Sequence, residues 1–157
     1  MSSARRAAAL LALAAVPWSI QRFAAGGVTL LFPWGLVTTR PPTVTTLYEF
    51  LFVYTTGLPE FILAWPLSVG LYALALASGA AGLLVGREDP RVTGGLLVAA
   101  GIAQVTVASG FSVQPGRAAY PVGTAALWAV AWRVYWPAVR ADRAGAVGTE
   151  AGATDEE

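Results

Sequence analysis

Two pairs of carboxylates are the residues best suited to carry chemistry: Glu49 and Glu60 in the first half of the chain, and Glu88 and Asp89 further on. Two carboxylates in one site can act as general acid and general base. Local helix chemistry accounts for each of them, however. Glu49 stands three residues after Thr46, which is the spacing of a capping box, and the other acids fall where helices are expected to begin. We therefore predict no catalytic residue and a protein that is not an enzyme.

The absent residue types exclude most other site chemistry. The sequence contains no Cys and no His, and all ten cationic residues are arginine. Without those side chains there is no disulfide, thiolate nucleophile, imidazole base, Schiff-base lysine or Cys/His metal site. A net charge of +1 also argues against a nucleic-acid partner, which needs a clustered excess of cations. We expect neither a metal nor another cofactor.

The elements that would position any site are long apolar runs. Hydrophobic residues make up 56% of the chain and charged residues 12%, against about 25% charged in an ordinary soluble domain. The runs predict transmembrane helices over approximately 5–21, 60–86, 90–112 and 121–140. The first run also resembles a cleaved signal peptide, because it is short and follows Arg5 and Arg6.

These runs predict an all-α membrane protein: an antiparallel bundle of four transmembrane helices in one domain, residues 1–143, in the cell membrane. The arginines orient the bundle, because cytoplasmic segments carry the excess of positive charge and the larger group should lie inside. Both termini are then cytoplasmic, and residues 144–157 form a disordered acidic tail. The larger group is Arg5, Arg6, Arg87, Arg91, Arg133, Arg140 and Arg143, and the smaller is Arg22, Arg40 and Arg117.

The outer segment, residues 22–59, is too apolar for a simple loop, and we predict an interfacial lid. Val28–Thr39 is expected to form either a short β-hairpin around Pro33-Trp34-Gly35 or a re-entrant half-helix. The capping box predicts a short helix from Thr46 onwards. Trp18, Trp34 and Trp65 are placed at headgroup level. The lid residues that could contact a partner are Trp34, Glu49, Phe50, Tyr54 and Glu60.

Small and amide residues in the central helices predict close helix packing. Gly82 and Gly86 form a GxxxG motif, which is either a dimer seam or, as we favour, the internal contact between the second and third helices. Gln104 is expected to make an interhelical hydrogen bond rather than to line a polar path. The full set of packing candidates is Ser78, Gly82, Gly86, Gly94, Gly95, Gly101 and Gln104.

An aromatic stripe marks the last helix. Trp128, Trp132 and Trp136 recur every four residues, with Arg133 and Tyr135 beside them. A stacked cation and ring could grip a lipid or a flat ligand. The favoured interpretation is core packing combined with an interfacial belt.

The segments VPWS, LLFPWGLV, TTLYEFLFVYTTGLP, AWPLSVGLYALALAS, GREDPRVTGGLLV and AVAWxxYWPA resemble a family of small, uncharacterised, multi-pass membrane proteins from halophilic archaea. The resemblance implies a membrane location and no activity. We expect a non-enzymatic scaffold or accessory subunit whose partners are the lipid bilayer and other membrane proteins or a second copy. The alternatives are a small transporter or channel component, and a membrane-embedded enzyme.

Overall fold

The computed structural model describes residues 2–54 and 56–141 of the chain. The predicted acidic tail, 144–157, lies outside these residues. Five strands form one antiparallel sheet with the order β4-β3-β2-β1-β5. The elements in chain order are α1 (Ser3–Ala12), β1 (Ser19–Phe23), β2 (Val28–Phe32), β3 (Gly35–Thr39), β4 (Pro42–Thr46), α2 (Leu47–Phe52), α3 (Glu60–Val85), α4 (Pro90–Ser112), β5 (Arg117–Tyr120) and α5 (Val122–Val130).

The chain after α5 stays helical. Ala131–Tyr135 is a π-helical turn, and residues 136–141 are α-helical again. We name the whole stretch, residues 122–141, the C-terminal helix. Arg133 therefore lies within a π-helical turn, where the wider winding changes the direction in which the following side chains point.

The prediction of an all-α bundle of four transmembrane helices is wrong, because the fold is α/β, with a five-stranded sheet and five α-helices among the described residues. The predicted helix 5–21 fails first. α1 ends at Ala12, and Pro17, which has no amide hydrogen to donate, stands between it and β1. Ser19–Phe23 is extended because it pairs with β2 on one side and β5 on the other.

Within residues 2–54 and 56–141, two helices, α3 and α4, are long and apolar enough to cross a membrane. That test rests on length and composition, and core helices of soluble proteins also pass it. α3 ends at Gly86, whose φ of 69° is the left-handed conformation that glycine adopts easily. α4 starts with Asp89 as its N-cap, accepting from the amide of Arg91, and with Pro90 in its first turn. The two helices therefore form a tight antiparallel hairpin.

The predicted β-hairpin is confirmed: β2 and β3 pair around Pro33-Trp34, which excludes the re-entrant helix. The sheet extends beyond the predicted lid, since all of β5 and the first three residues of β1 lie outside residues 22–59. The capping box is also confirmed. The Thr46 hydroxyl accepts from the Glu49 amide at 3.2 Å, and the Glu49 carboxylate accepts from the Thr46 amide at 2.9 Å.

α1 packs against one end of α3, and the sheet packs against the other end. Near the Val85 end, Leu10 of α1 packs against Gly79. Halfway along, the Trp18 ring meets Tyr72 edge-on at 5.1 Å, and Trp18 is fully buried. Nearer the Glu60 end, the indole of Trp65 donates to the carbonyl of Phe32 in β2. Contacts with α3 thus come in turn from α1, from Trp18 just before β1, and from β2.

Candidate functional site

A groove of about 630 Å³ runs between α4 and the C-terminal helix. Its walls are almost entirely apolar, and an arginine stands at one end. A concave apolar surface of this size is the usual form of a ligand site. The lining residues are Pro90, Arg91, Gly94, Gly95, Val98, Trp128, Ala131, Trp132, Tyr135, Trp136 and Val139.

Glycines on α4 make room for the groove. A methyl group on Gly94 would stand 3.3 Å from the Tyr135 Cβ, so the two helices approach closely there. A methyl group on Gly95 would meet nothing within 4 Å, because this position opens into the groove. Gly94 and Gly95 are two of the packing candidates from the sequence. Their role differs, since one permits helix contact and the other leaves space.

Trp128 closes one end of the groove. Its indole donates to the Val98 carbonyl at 3.1 Å and lies where a side chain on Gly101 would otherwise be. Next to it, the Thr124 hydroxyl donates to the Gly101 carbonyl at 2.9 Å. Gly101 therefore packs against the C-terminal helix.

The aromatic stripe forms the outer wall of the groove. Trp132 and Trp136 stack with their ring centroids 5.3 Å apart, and Trp132 is 62% exposed. The cation that stacks on the stripe is Arg140, at 5.3 Å from the Trp136 ring. The sequence suggested Arg133 for this contact, which is wrong among the described residues. Arg140 follows Trp136 by four residues in the α-helical stretch 136–141, so the two side chains share one face of the helix.

A partly buried ion pair lies near Tyr135, one of the residues that line the groove. Arg6 Nη1 and Glu88 Oε2 are 3.2 Å apart, and the Glu88 side chain is only 5% exposed. The Thr93 hydroxyl lies 3.5 Å from the other Glu88 oxygen and 2.7 Å from the Ser78 hydroxyl. Tyr135 joins the pair to the groove: its ring lines the groove, and its buried hydroxyl lies near Glu88 without a regular hydrogen bond.

The ion pair was missed at the sequence level. Arg6 and Glu88 are 82 residues apart, and no local pattern joins them. The glycine motif was the one sequence signal near this pair, and it marks the place of the Glu88 side chain. Gly82 lacks a side chain because the Glu88 side chain occupies that space, while Gly86 is the helix cap. Gly82 therefore packs on the turn that joins α3 to α4.

The direct polar contacts between α3 and α4 come from other residues. Gln104 Nε2 donates to the Ser68 hydroxyl at 2.6 Å, and both residues are fully buried. This is an interhelical hydrogen bond of the kind expected from the sequence. Near the opposite end of the hairpin, Ser78 and Thr93 hydroxyls make a second bridge.

The residues assigned to the lid do not come together as one site. Glu49 caps α2, and the hydrogen bonds from Thr46 hold the pKa of its carboxyl below the usual range. Glu60 begins α3. Phe50 packs on Trp65 with ring centroids 5.4 Å apart. Trp34 and Tyr54 are exposed.

Two tryptophans expected at headgroup level, Trp18 and Trp65, are buried instead, at 0% and 1% exposure. Four exposed rings lie close together at this end of the molecule: Trp34, Tyr48, Phe52 and Tyr54. They belong to α2, the residues just after it, and the β2–β3 turn, which are joined by a hydrogen bond from the Leu47 amide to the Trp34 carbonyl. We call these four residues the aromatic belt.

A family of domains described as a domain of unknown function, DUF8050, matches residues 1–144. The chain belongs to this family. The expectation of an uncharacterised family is thereby confirmed, and the description of the family carries no activity. A search of curated proteins finds no match.

Proposed function

We propose that this DUF8050 member is a multi-pass protein of the cell membrane that acts as a non-enzymatic scaffold or accessory subunit. Its partners are lipids and other membrane proteins, which it contacts through the outer faces of α3 and α4 and through the groove. The sheet stands on the outer side of the membrane, and the arginine-rich end faces the cytoplasm. An origin in halophilic archaea belongs to the same proposal, supported by arginine as the sole cationic residue type and by the acidic C-terminal sequence.

Exposed apolar side chains on the two long helices support the membrane location. On α3, Leu67 and Leu74 are each 58% exposed and Leu84 is 80% exposed. On α4, Ile102 is 56% exposed. Water-soluble monomers rarely expose apolar surface along whole helices, so these faces need lipid or another protein against them.

The spacing of two interfacial features carries the proposal. The aromatic belt lies at the level of Trp65, because Phe50 of α2 packs on the Trp65 ring. From Trp65 to Val85 the helix rises about 30 Å, which equals the thickness of a bilayer core. Aromatic side chains favour one interface of a membrane and arginines favour the cytoplasmic one. The part of the molecule between the belt and the arginines therefore fits a bilayer.

Backbone hydrogen bonding supports the placement of the sheet outside the hydrocarbon. β4 is an edge strand, and an open edge is not tolerated in lipid. Its sequence, Pro42–Thr46, carries three threonines and is mostly exposed. At the opposite edge, the Ser112 hydroxyl donates to the Ala119 carbonyl and accepts from the Ala119 amide. These two hydrogen bonds satisfy backbone groups at the free edge of β5.

Extraction and crosslinking test the proposal. The full chain should stay in the membrane pellet under alkaline carbonate. A photoreactive residue in place of Leu74 should then crosslink, in native membranes, to lipid or to a discrete protein. The same residue in place of the buried Leu97 is the control and should give no intermolecular product, because Leu97 is 0% exposed. Release of the wild type by carbonate would contradict the proposal.

Transport is the second candidate function, and the partly buried Arg6–Glu88 pair favours it. The pair lies at the α3–α4 turn, at the cytoplasmic end of the proposed membrane-spanning part, where paired charges can guide a solute or proton into the bundle. Purified protein in liposomes would then conduct a solute flux that Glu88→Gln abolishes and Glu60→Gln, at an exposed carboxylate, preserves. A wild-type flux no greater than that of protein-free liposomes, or a flux that Glu88→Gln leaves unchanged, would reject transport.

A further inference from the structure

We infer that the groove between α4 and the C-terminal helix binds one anionic phospholipid, with an acyl chain along the tryptophans and the phosphate on Arg91 and Arg140. The inference rests on the proposed membrane location and names the ligand class of that surface. It commits to lipid from the surrounding bilayer rather than to a soluble phosphate compound.

The walls of the groove fit an acyl chain. From Val98 to Arg91, α4 rises about 10 Å, and the facing wall is made of Trp128, Trp132 and Trp136. Gly95 leaves open space between them. A hydrocarbon chain satisfies such a surface, because it needs no hydrogen-bond partners and gains dispersion contacts along its whole length.

The arginine end of the groove fits a phosphate. Arg91 lines the groove, and the Arg140 guanidinium lies over the Trp136 ring that also lines it. Neither makes an ion pair with a residue in the described part of the chain. The nearby acids are engaged elsewhere: Glu88 pairs with Arg6, and Asp89 caps α4. Arginine binds phosphate oxygens with two parallel N–H donors, so both guanidiniums are available for one headgroup.

An amphiphile is the class of ligand that can contact both the apolar wall of the groove and its arginine end. A soluble phosphate would leave the tryptophan wall uncovered, and a purely apolar ligand would leave the arginines unmatched. A second copy of this chain, docked about a twofold axis through the groove, would bring Arg91 and Arg140 close to their own equivalents. Like charges facing each other across such a contact oppose pairing.

Tryptophan fluorescence in nanodiscs tests the assignment. The full chain is placed in phosphatidylcholine discs in which a minor share of the lipid carries dibrominated chains, as phosphatidylglycerol in one preparation and as phosphatidylcholine in the other. Bromine quenches tryptophans that it contacts, and Trp132 and Trp136 are exposed on the groove wall. We expect stronger quenching by the anionic lipid, with a preference of roughly fivefold for each arginine.

Two kinds of variant separate the headgroup from the chain. Arg91→Gln combined with Arg140→Gln should remove the preference for phosphatidylglycerol while quenching by both lipids continues. Gly95→Leu should fill the groove and also remove the preference. Gly70→Leu is its matched control, since Gly70 is an exposed glycine of α3 with nothing within 4 Å of an added methyl group, and it should behave as wild type.

The outcomes distinguish the two levels of the account. Three outcomes overturn the lipid assignment alone. The first is equal quenching by the two lipids in the wild type, and the second is a preference that persists in the double arginine variant. The third is the absence of a preference together with crosslinking of two copies of the chain through the groove. A wild-type chain that carbonate removes from membranes overturns the proposed function instead.

Discussion

Gln104 lies at the middle of α4, and its side chain is fully buried. One of its polar atoms, Nε2, donates to Ser68, while Oε1 is buried without a partner among the described residues. Ser68→Ala should lower the free energy of unfolding by about 1 kcal/mol, because it leaves the amide unpaired. Adding Gln104→Met to Ser68→Ala should recover most of that loss. Denaturant unfolding in mild detergent measures the stability of Ser68→Ala, of Gln104→Met and of the double variant. A loss in the double variant equal to the sum of the two single losses would contradict the pairing.

Glu88 is a nearly buried carboxylate, and its partner is Arg6. Glu88→Gln leaves the Arg6 charge without its counter-charge, at a site where the Arg6 side chain is 20% exposed. We expect a loss of about 1 to 3 kcal/mol in the free energy of unfolding, below the value for a fully buried pair because water still reaches Arg6. Thermal unfolding of the detergent-solubilised protein measures the loss.

The control for Glu88→Gln is Glu60→Gln, at an exposed carboxylate in the first turn of α3. It should lose no more than about 1 kcal/mol, which is the range for a helix-terminal charge. Equal effects of the two substitutions would show that the ion pair contributes nothing beyond surface charge.

At the scale of elements, local chemistry was predictable and distant pairing was not. The capping box at Thr46, the Asp89-Pro90 start of α4 and the β2–β3 turn depend on residues within a few positions of each other, and each formed where the sequence indicated. The strand Ser19–Phe23 depends on pairing with Arg117–Tyr120, about a hundred residues away. Its apolar residues fit a helix equally well, so the hydropathy pattern alone gave the wrong element.

The candidate site divides in the same way. The four-residue spacing of Trp128, Trp132 and Trp136 predicted a shared face, and the structure has that face on the groove. The ion pair of Arg6 with Glu88 could not be foreseen, because two separate elements create it. The π-helical turn likewise has no signature in the spacing of the apolar residues. The stacking of Arg140 on Trp136 could have been predicted, because Arg140 continues the four-residue spacing of the tryptophans.

The capping box makes α2 sensitive to acid. Hydrogen bonds from the Thr46 amide and hydroxyl lower the pKa of Glu49 from its ordinary 4.5. The stabilisation is complete above that pH and is lost as the pH falls through the lower pKa of the folded protein. Hydrogen exchange of the α2 amides should accelerate, after correction for intrinsic rates, as the pH drops below about 4.5. Glu49→Gln should flatten this dependence, and an unchanged dependence in that variant would assign it to another group.

The contact of β1 with the C-terminal helix depends on a glycine. The Gly123 amide donates to the Trp18 carbonyl at 2.8 Å, and a methyl group on Gly123 would overlap the Trp18 backbone. Gly123→Ala should therefore reduce the free energy of unfolding by about 1 to 3 kcal/mol. Gly70→Ala, where the added methyl group has open space, should be neutral or stabilise α3 by up to about 1 kcal/mol. Equal stability of the two variants would contradict this packing.

At the scale of the whole molecule, described arginines of the two groups lie at opposite ends. Contact of Arg6 with Glu88 brings α1 to the α3–α4 turn, and the groove brings Arg91 to the end of the C-terminal helix. Arg22 and Arg117 lie at the opposite end, on neighbouring strands of the sheet. This separation supports a bilayer placed between the aromatic belt and the α3–α4 turn, with the sheet outside and the larger arginine group inside.

Labelling of single cysteines tests this arrangement most directly, because the natural sequence has no cysteine to give background. Thr43 lies in the exposed edge strand β4, and Arg87 lies in the exposed α3–α4 turn. In intact cells, a membrane-impermeant maleimide should label Thr43→Cys, and it should label Arg87→Cys only after the cells are lysed. Labelling of Arg87→Cys in intact cells, or protection of Thr43→Cys until lysis, would contradict the account.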